Sequence, residues 1–194
     1  MPACGVLALQ GGWQAHRLAL DSLGTESLPV RTAPDLNRVE RLVMPGGESS
    51  AMLRLMEGEE LGARIGERIA TGMPVLATCA GLILLAATVV PEQPSFGVLS
   101  IEILRNAYGR QVVSSVEDIE VEPPLGPPAS MEAVFIRAPR IVKVGPGVEV
   151  LGSWRGDPVV IRQGNILGAT FHPELTGDRR IHELFLRRGE DRDG

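Results

Sequence analysis

Residues 73–90 read MPVLATCAGLILLAATVV, eighteen residues without a charge and with one cysteine near the middle. Such a run must leave water, and few structures allow that. A bilayer core takes about 20 apolar residues as one helix, whereas a shorter run bounded by turn residues belongs in a protein core. Pro74 suits the start of a strand better than the interior of a span, and Val75 and Leu76 form strands well. Thr78, Cys79 and Gly81 then interrupt a continuous apolar helix, and no aromatic belt or basic cluster flanks the run. The stretch is predicted as a buried strand followed by a buried helix, with Cys79 at their junction and no membrane association.

The rest of the first half repeats that alternation. The apolar runs CGVLAL (4–9), ERLVM (40–44) and PVLAT (74–78) read as strands. Between them, Trp13 to Leu23 carries apolar residues at 15, 18, 19, 20 and 23, and Ala51 to Ala70 carries them at 52, 53, 55, 56, 61, 65 and 69. Both patterns are near helical spacing. Strand, helix, strand implies parallel pairing, and strands buried on both faces are expected to read as unbroken apolar runs. The second half holds more strands, at 98–104, 133–136, 157–161 and 166–171, before RRIHELFLRR (179–188) closes as a helix. The expectation is an α/β core with a mixed extension, as a single domain over 1–194. EPPLGPPAS (122–130) holds four of the fifteen prolines and reads as a surface loop.

Charge narrows the function. Net charge is −5, and the 19 basic residues are scattered, so the basic stripe of a nucleic-acid binder is missing. The apolar amino terminus has no basic residues ahead of it, so no secretory signal and a cytoplasmic location are expected. Two cysteines, Cys4 and Cys79, are too few for a disulfide framework and have no metal-ligand spacing.

Three elements can carry chemistry. Cys79 falls where a strand should turn sharply into a helix, the geometry of a nucleophile elbow, with helix N–H groups aimed at the thiol. An isolated cysteine is also often merely buried. Phe171-His172-Pro173-Glu174 follows a strand, so His172 and Glu174, two residues apart, can share a face; a carboxylate that orients an imidazole beside a thiol is triad logic. A polar cap at a strand end is the bland alternative. His16 and His182 are expected on helix surfaces. The turn Pro45-Gly46-Gly47-Glu48-Ser49-Ser50 can present amides to an oxyanion and cap the next helix through a serine, although a Gly-Gly turn is often only a connection.

Together, GVLALQG (5–11), LVMPGGESS (42–50), TCAGLILLA (78–86), RNAYGRQ (105–111), VFIRAP (134–139) and FHPELT (171–176) resemble the class I, triad-type glutamine amidotransferases. Within them they are most similar to the glutaminase subunits of pyridoxal 5'-phosphate synthase. The C-A-G and H-P-E elements are broad; PGGES, RNxYGRQ and FIRAP are narrow. The resemblance implies a flavodoxin-like three-layer sandwich around a central mixed, mostly parallel sheet. It implies hydrolysis of L-glutamine, with Cys79 as nucleophile, His172 as proton shuttle and Glu174 as its orienting carboxylate. It implies glutamine held by Gly47, Glu48, Ser49, Arg105, Ile136 and Arg137, and an oxyanion between the backbone N–H groups of Gly47 and Ala80. Arg105 suits a carboxylate because a guanidinium binds both oxygens, although a surface ion pair is its alternative. No cofactor or metal is implied; the implied partner is a synthase subunit that consumes the ammonia, and the Gln10-Gly11-Gly12 turn is a candidate switch for docking.

Three positions depart from the family pattern. Ala77 replaces a glycine of the elbow, GGWQAH stands for Gly-x-x-Arg-Glu-His, and SSVEDIEV replaces a more aromatic segment. Two other functions stay open at this level: the glutaminase of another pathway, such as imidazole glycerol phosphate synthesis, and a non-catalytic cysteine sensor on the same scaffold.

Overall fold

The computed structural model describes residues 3–107, 114–126 and 129–187. The first half runs β1 (Cys4–Leu7), α1 (Trp13–Ser22), β2 (Ser27–Val30), α2 (Ala33–Leu36), β3 (Arg41–Met44), α3 (Ser49–Met56), α4 (Glu60–Ala70), β4 (Val75–Thr78) and α5 (Ala80–Leu85). The second half runs β5 (Ala86–Val90), β6 (Leu99–Leu104), β7 (Ser114–Val121), β8 (Ala129–Ile136), β9 (Arg140–Val144), β10 (Glu149–Trp154), β11 (Asp157–Gln163), β12 (Ile166–Ala169) and α6 (Arg180–Arg187).

Nine strands form one sheet in the order β2-β1-β3-β4-β12-β11-β10-β7-β8. The five strands from β2 to β12 pair in parallel, and β12 onward pairs antiparallel. A second sheet of three strands, β5-β6-β9, packs on one face. Side chains of the central strands alternate between two separate cores. Leu7, Leu42, Met44, Val75 and Ala77 meet α3, α4, α5 and the small sheet. Val6, Val43, Leu76, Leu167 and Ala169 meet α1 and α6. Burial on both faces is why VLAT and RLVM lack polar alternation, and it yields the three layers expected.

Local chemistry sets the element ends. Thr32 accepts a hydrogen bond from the Asp35 amide while the Asp35 carboxylate accepts from the Thr32 amide, a capping box that starts α2. In α4, Leu61, Ile65 and Ile69 recur at intervals of four and bury one stripe. The helix expected over 51–70 is two helices, because Gly58 at φ +74° turns the chain between α3 and α4. The uncharged run also divides further than expected: α5 stops at Leu85, and Ala86–Val90, with β-branched Thr88, Val89 and Val90, pairs with β6 as β5. β5, β7, β9 and β10 each expose part of their length, as the burial of β7 shows, and β2, SLPV, is four residues with a proline at its third position, too short for a pattern. The proline-rich loop joins β7 to β8; Pro127 and Pro128 lie outside the described residues.

Candidate active site

The chain leaves β1, β3, β4 and β12 at the same edge of the sheet, the carboxyl edge where open α/β sheets bind ligands. Gln10 follows β1, Gly46–Ser49 follow β3, Cys79 follows β4, and His172 follows β12.

Cys79 occupies the turn itself, at φ +46° and ψ −104°, and α5 begins at the next residue. A side chain at positive φ is strained by about 1–3 kcal/mol and persists only where its surroundings dictate it. Here they do: the Cys79 amide donates to the Ala169 carbonyl at 2.9 Å, and the Gly81 amide donates to the Pro45 carbonyl at 3.2 Å. Close approach also requires glycine at 81, where a Cβ would sit 2.1 Å from the Met44 carbonyl oxygen. Ala77, the departure from the family elbow, is fully buried within β4.

His172 Nδ1 donates to Glu174 Oε1 at 2.8 Å, and the His172 amide is tied to the Val134 carbonyl at 2.8 Å. Burial opposes protonation of His172, but the hydrogen bonds and charges of Cys79 and Glu174 outweigh it and push its pKa up to about 10. Burial likewise pushes Glu174 toward its neutral form; His16 and His172 around it prevail and hold its carboxyl below the usual range. The Cys79 thiol also points to the Ile136 carbonyl, 4.0 Å away. Gly46 fits between the two side chains: a Cβ there would lie 2.3 Å from His172 Cε1 and 3.2 Å from Cys79 Cβ. The second thiol is different in kind, since burial pushes Cys4 up to about 12 despite Arg41.

Cys79 and His172 open onto a cavity of about 250 Å³, and all six residues expected to hold substrate line it: Gly47, Glu48, Ser49, Arg105, Ile136 and Arg137. Gln10, Ile83 and Asn106 line it as well; of these the sequence singles out Gln10 alone, and as part of a docking turn rather than of a binding cavity. Glu174 is behind His172, and Ala80 is buried at the first position of α5. Arg105 is 3.5 Å from Glu48 Oε1, and the Glu48 carboxyl is held low chiefly by the Ser50 hydroxyl, 2.8 Å from both its oxygens. Neither serine caps α3: Ser50 serves Glu48, and Ser49 donates to Gln93 Oε1 at 3.1 Å. Gln10 donates to the Glu48 carbonyl at 2.9 Å, and the Gly12 amide donates to the Gly46 carbonyl at 3.0 Å, so the two glycine turns are locked together. Of the four described non-glycine residues at positive φ, three, Cys79, Asn106 and Arg137, line this cavity. The RNAYGRQ motif continues from Tyr108 to Gln111 outside the described residues. A larger groove of about 630 Å³ along α3 shares Arg105 but contains neither Cys79 nor His172.

Residues 6–191 match the SNO glutamine amidotransferase family. The chain belongs to that family. This amidotransferase is 49% identical over 185 residues to the pyridoxal 5'-phosphate synthase subunit PdxT of Kosmotoga olearia, covering 94% of the chain and 95% of the relative. It is 51% identical to the PdxT subunit of Koribacter versatilis, covering 94% and 93%. A crystal structure described as a glutamine amidotransferase superimposes with a TM-score of 0.88 at 45% identity, over 95% of this chain and 97% of that one.

The expectation for two histidines also fails in this enzyme. His16 and His182, expected on helix surfaces, are both fully buried. His16 shares the inward face of α1 with Ala19 and Leu20, and His182 lies among Ile181, Leu184 and Phe185 of α6. The spacing of His16 from Leu20, one helical turn, was the available signal.

Proposed function

We infer that this chain is the glutaminase subunit of a pyridoxal 5'-phosphate synthase, acting as one domain over 1–194 in the cytoplasm, where its two free thiols stay reduced. The observation that carries the reading is Cys79 at a strained elbow beside a buried His172–Glu174 pair, over a cavity that ends in Arg105 and Glu48. The near full-length identity to PdxT subunits supports this pathway over imidazole glycerol phosphate synthesis, and the cavity favours catalysis over a sensor role.

L-glutamine fits the chemistry of that cavity. Arg105 and Arg137 provide for the α-carboxylate, and Glu48 provides for the α-ammonium, leaving the side-chain amide over Cys79. His172 takes the thiol proton. The sulfur then forms a bond to the carboxamide carbon, and the oxyanion rests on backbone N–H groups of Gly47 and Ala80. Collapse breaks the C–N bond as His172 gives its proton to the departing ammonia. Water, deprotonated by His172, attacks the thioester; the C–S bond breaks, and glutamate leaves with Cys79 restored. Glu174 keeps the imidazole oriented and balances its charge.

Ammonia released to bulk water would be lost, which is the chemical argument for a synthase subunit docked at this edge. Gln10, bonded to the backbone of the 45–50 turn, is placed to report docking to the oxyanion site. The test is glutamate release by the purified chain with and without its synthase subunit. Turnover should rise on adding the synthase and vanish in Cys79→Ala; turnover that persists in Cys79→Ala sinks the reading.

A further inference from the structure

On the side of Glu174 away from the cavity, the structure builds a second polar line that the reaction as described does not use. His16 Nε2 lies 3.2 Å from Glu174 Oε2 and 3.1 Å from Thr78 Oγ1. His16 Nδ1 lies 3.0 Å from His182 Nε2, with the two rings tilted at 54°. Glu174 Oε2 and His182 Nδ1 are enclosed and make no hydrogen bond of good geometry among the described residues. His16 Nε2 thus lies 3.2 Å from a buried carboxylate oxygen that has no hydrogen bond of good geometry among the described residues.

Charge and tautomer follow from these contacts. Burial pushes His16 down to about 4, against the pull of Glu174, and pushes His182 down to about 3, so both rings are neutral and each carries one proton. A proton on His182 Nδ1 would be a buried donor without an acceptor. It would also force His16 to donate from Nδ1, turning its Nε2 lone pair onto the Glu174 carboxylate. The opposite pattern removes both conflicts: His182 Nε2–H donates to His16 Nδ1, and His16 Nε2–H lies in reach of Thr78 and Glu174. Glu174 Oε2 then faces a donor at 3.2 Å rather than a lone pair, and His182 Nδ1 is left as a bare ring nitrogen, the cheaper omission.

We propose that His16, held by His182, is a positioning residue for glutamine hydrolysis, presenting Nε2–H to Oε2 of Glu174 so that the carboxylate stays ionised and keeps Oε1 on His172. The proposal rests on the reading of Cys79, His172 and Glu174 as a catalytic triad. Its physical content is that a buried carboxylate deprived of a donor takes up a proton more readily and loses its grip on the imidazole. The groups that face this line are Glu174 and His172 from the segment after β12, Thr78 from β4, and His182 from α6, with Arg179 near His182.

The test uses two polar variants assayed in complex with the synthase subunit. In His16→Gln the side-chain amide nitrogen can take the place of Nε2; in His16→Asn the amide oxygen can take the place of Nδ1 as acceptor for His182, with no donor reaching Glu174 Oε2. His16→Asn should lower kcat by roughly 10–100-fold with KM little changed, as loss of supporting partners around a reactive group commonly does. It should also move the acid limb of the kcat–pH profile up by about one unit. His16→Gln should keep the limb in place. Equal behaviour of the two, or an unshifted limb in both, overturns the proposal. In the unaltered protein, nitrogen spectra of labelled histidine should show His16 protonated on Nε2 above pH 5; a proton on Nδ1 overturns the proposal even if neither variant folds. Activity in Cys79→Ala would instead defeat the triad reading itself.

Discussion

At the scale of single residues, Cys79 and His172 are held by atoms that leave no slack. Gly46 is the clearest case, since its missing side chain is the space in which His172 and Cys79 face each other. Gly46→Ala should reduce kcat more than about tenfold and cost about 1–3 kcal/mol of stability, because the imidazole must rotate or the turn must shift; steady-state kinetics and urea unfolding check both. Cys79, His172 and Glu174 were legible in the sequence because local rules place them: a small-residue elbow after an apolar strand, and a histidine and a carboxylate two apart after another. His16 and His182 were not legible as a pair, because 166 positions separate them in the chain and only the packing of α1 against α6 brings their rings within 3.0 Å.

At the scale of elements, the junction of β4 and α5 stores backbone strain at Cys79. Substituting Cys79 isolates that strain, since Ala and Gly both delete the thiol but only Gly accepts φ +46° without cost. Cys79→Gly should be more stable than Cys79→Ala by about 1 kcal/mol, the reverse of the usual order of these two residues; denaturant midpoints with equal slopes would show it, and a more stable alanine variant would refute a strained elbow. The central strands were legible because burial on both faces leaves unbroken apolar runs. β7, with Glu117, Asp118 and Glu120 within it, was not, since it sits near the sheet edge and its pairing with β8 and β10 supplies what its composition withholds.

At the scale of the whole molecule, three buried histidines should shape stability against pH in opposite directions. His16 and His182 are neutral when folded, with pKa values held to about 4 and about 3, so the unfolded chain binds more protons as pH drops below its ordinary 6.5. Stability should therefore fall on acidification, by up to about 1.4 kcal/mol per pH unit for each histidine. His172 behaves oppositely: its pKa of about 10 stabilises the fold fully below 6.5, and that contribution is lost as pH rises toward 10. Urea unfolding at pH 4.5, 6.5 and 9 should show a maximum near the middle value, and His172→Gln should flatten only the alkaline side; a decline on that side unchanged in His172→Gln would refute the assignment.

Local sequence pattern was enough for the α/β class, the parallel centre, the strand-to-helix elbow at Cys79, and the histidine and carboxylate that follow a strand. These depend on short-range rules: side-chain periodicity, turn chemistry, and which residues end a strand. Only the packed structure brings Gln10, Ile83 and Asn106 into one cavity with Cys79 and buries two histidines behind Glu174. Burial depends on what a helix packs against, and no local pattern records that α1 and α6 close over the same face of the sheet.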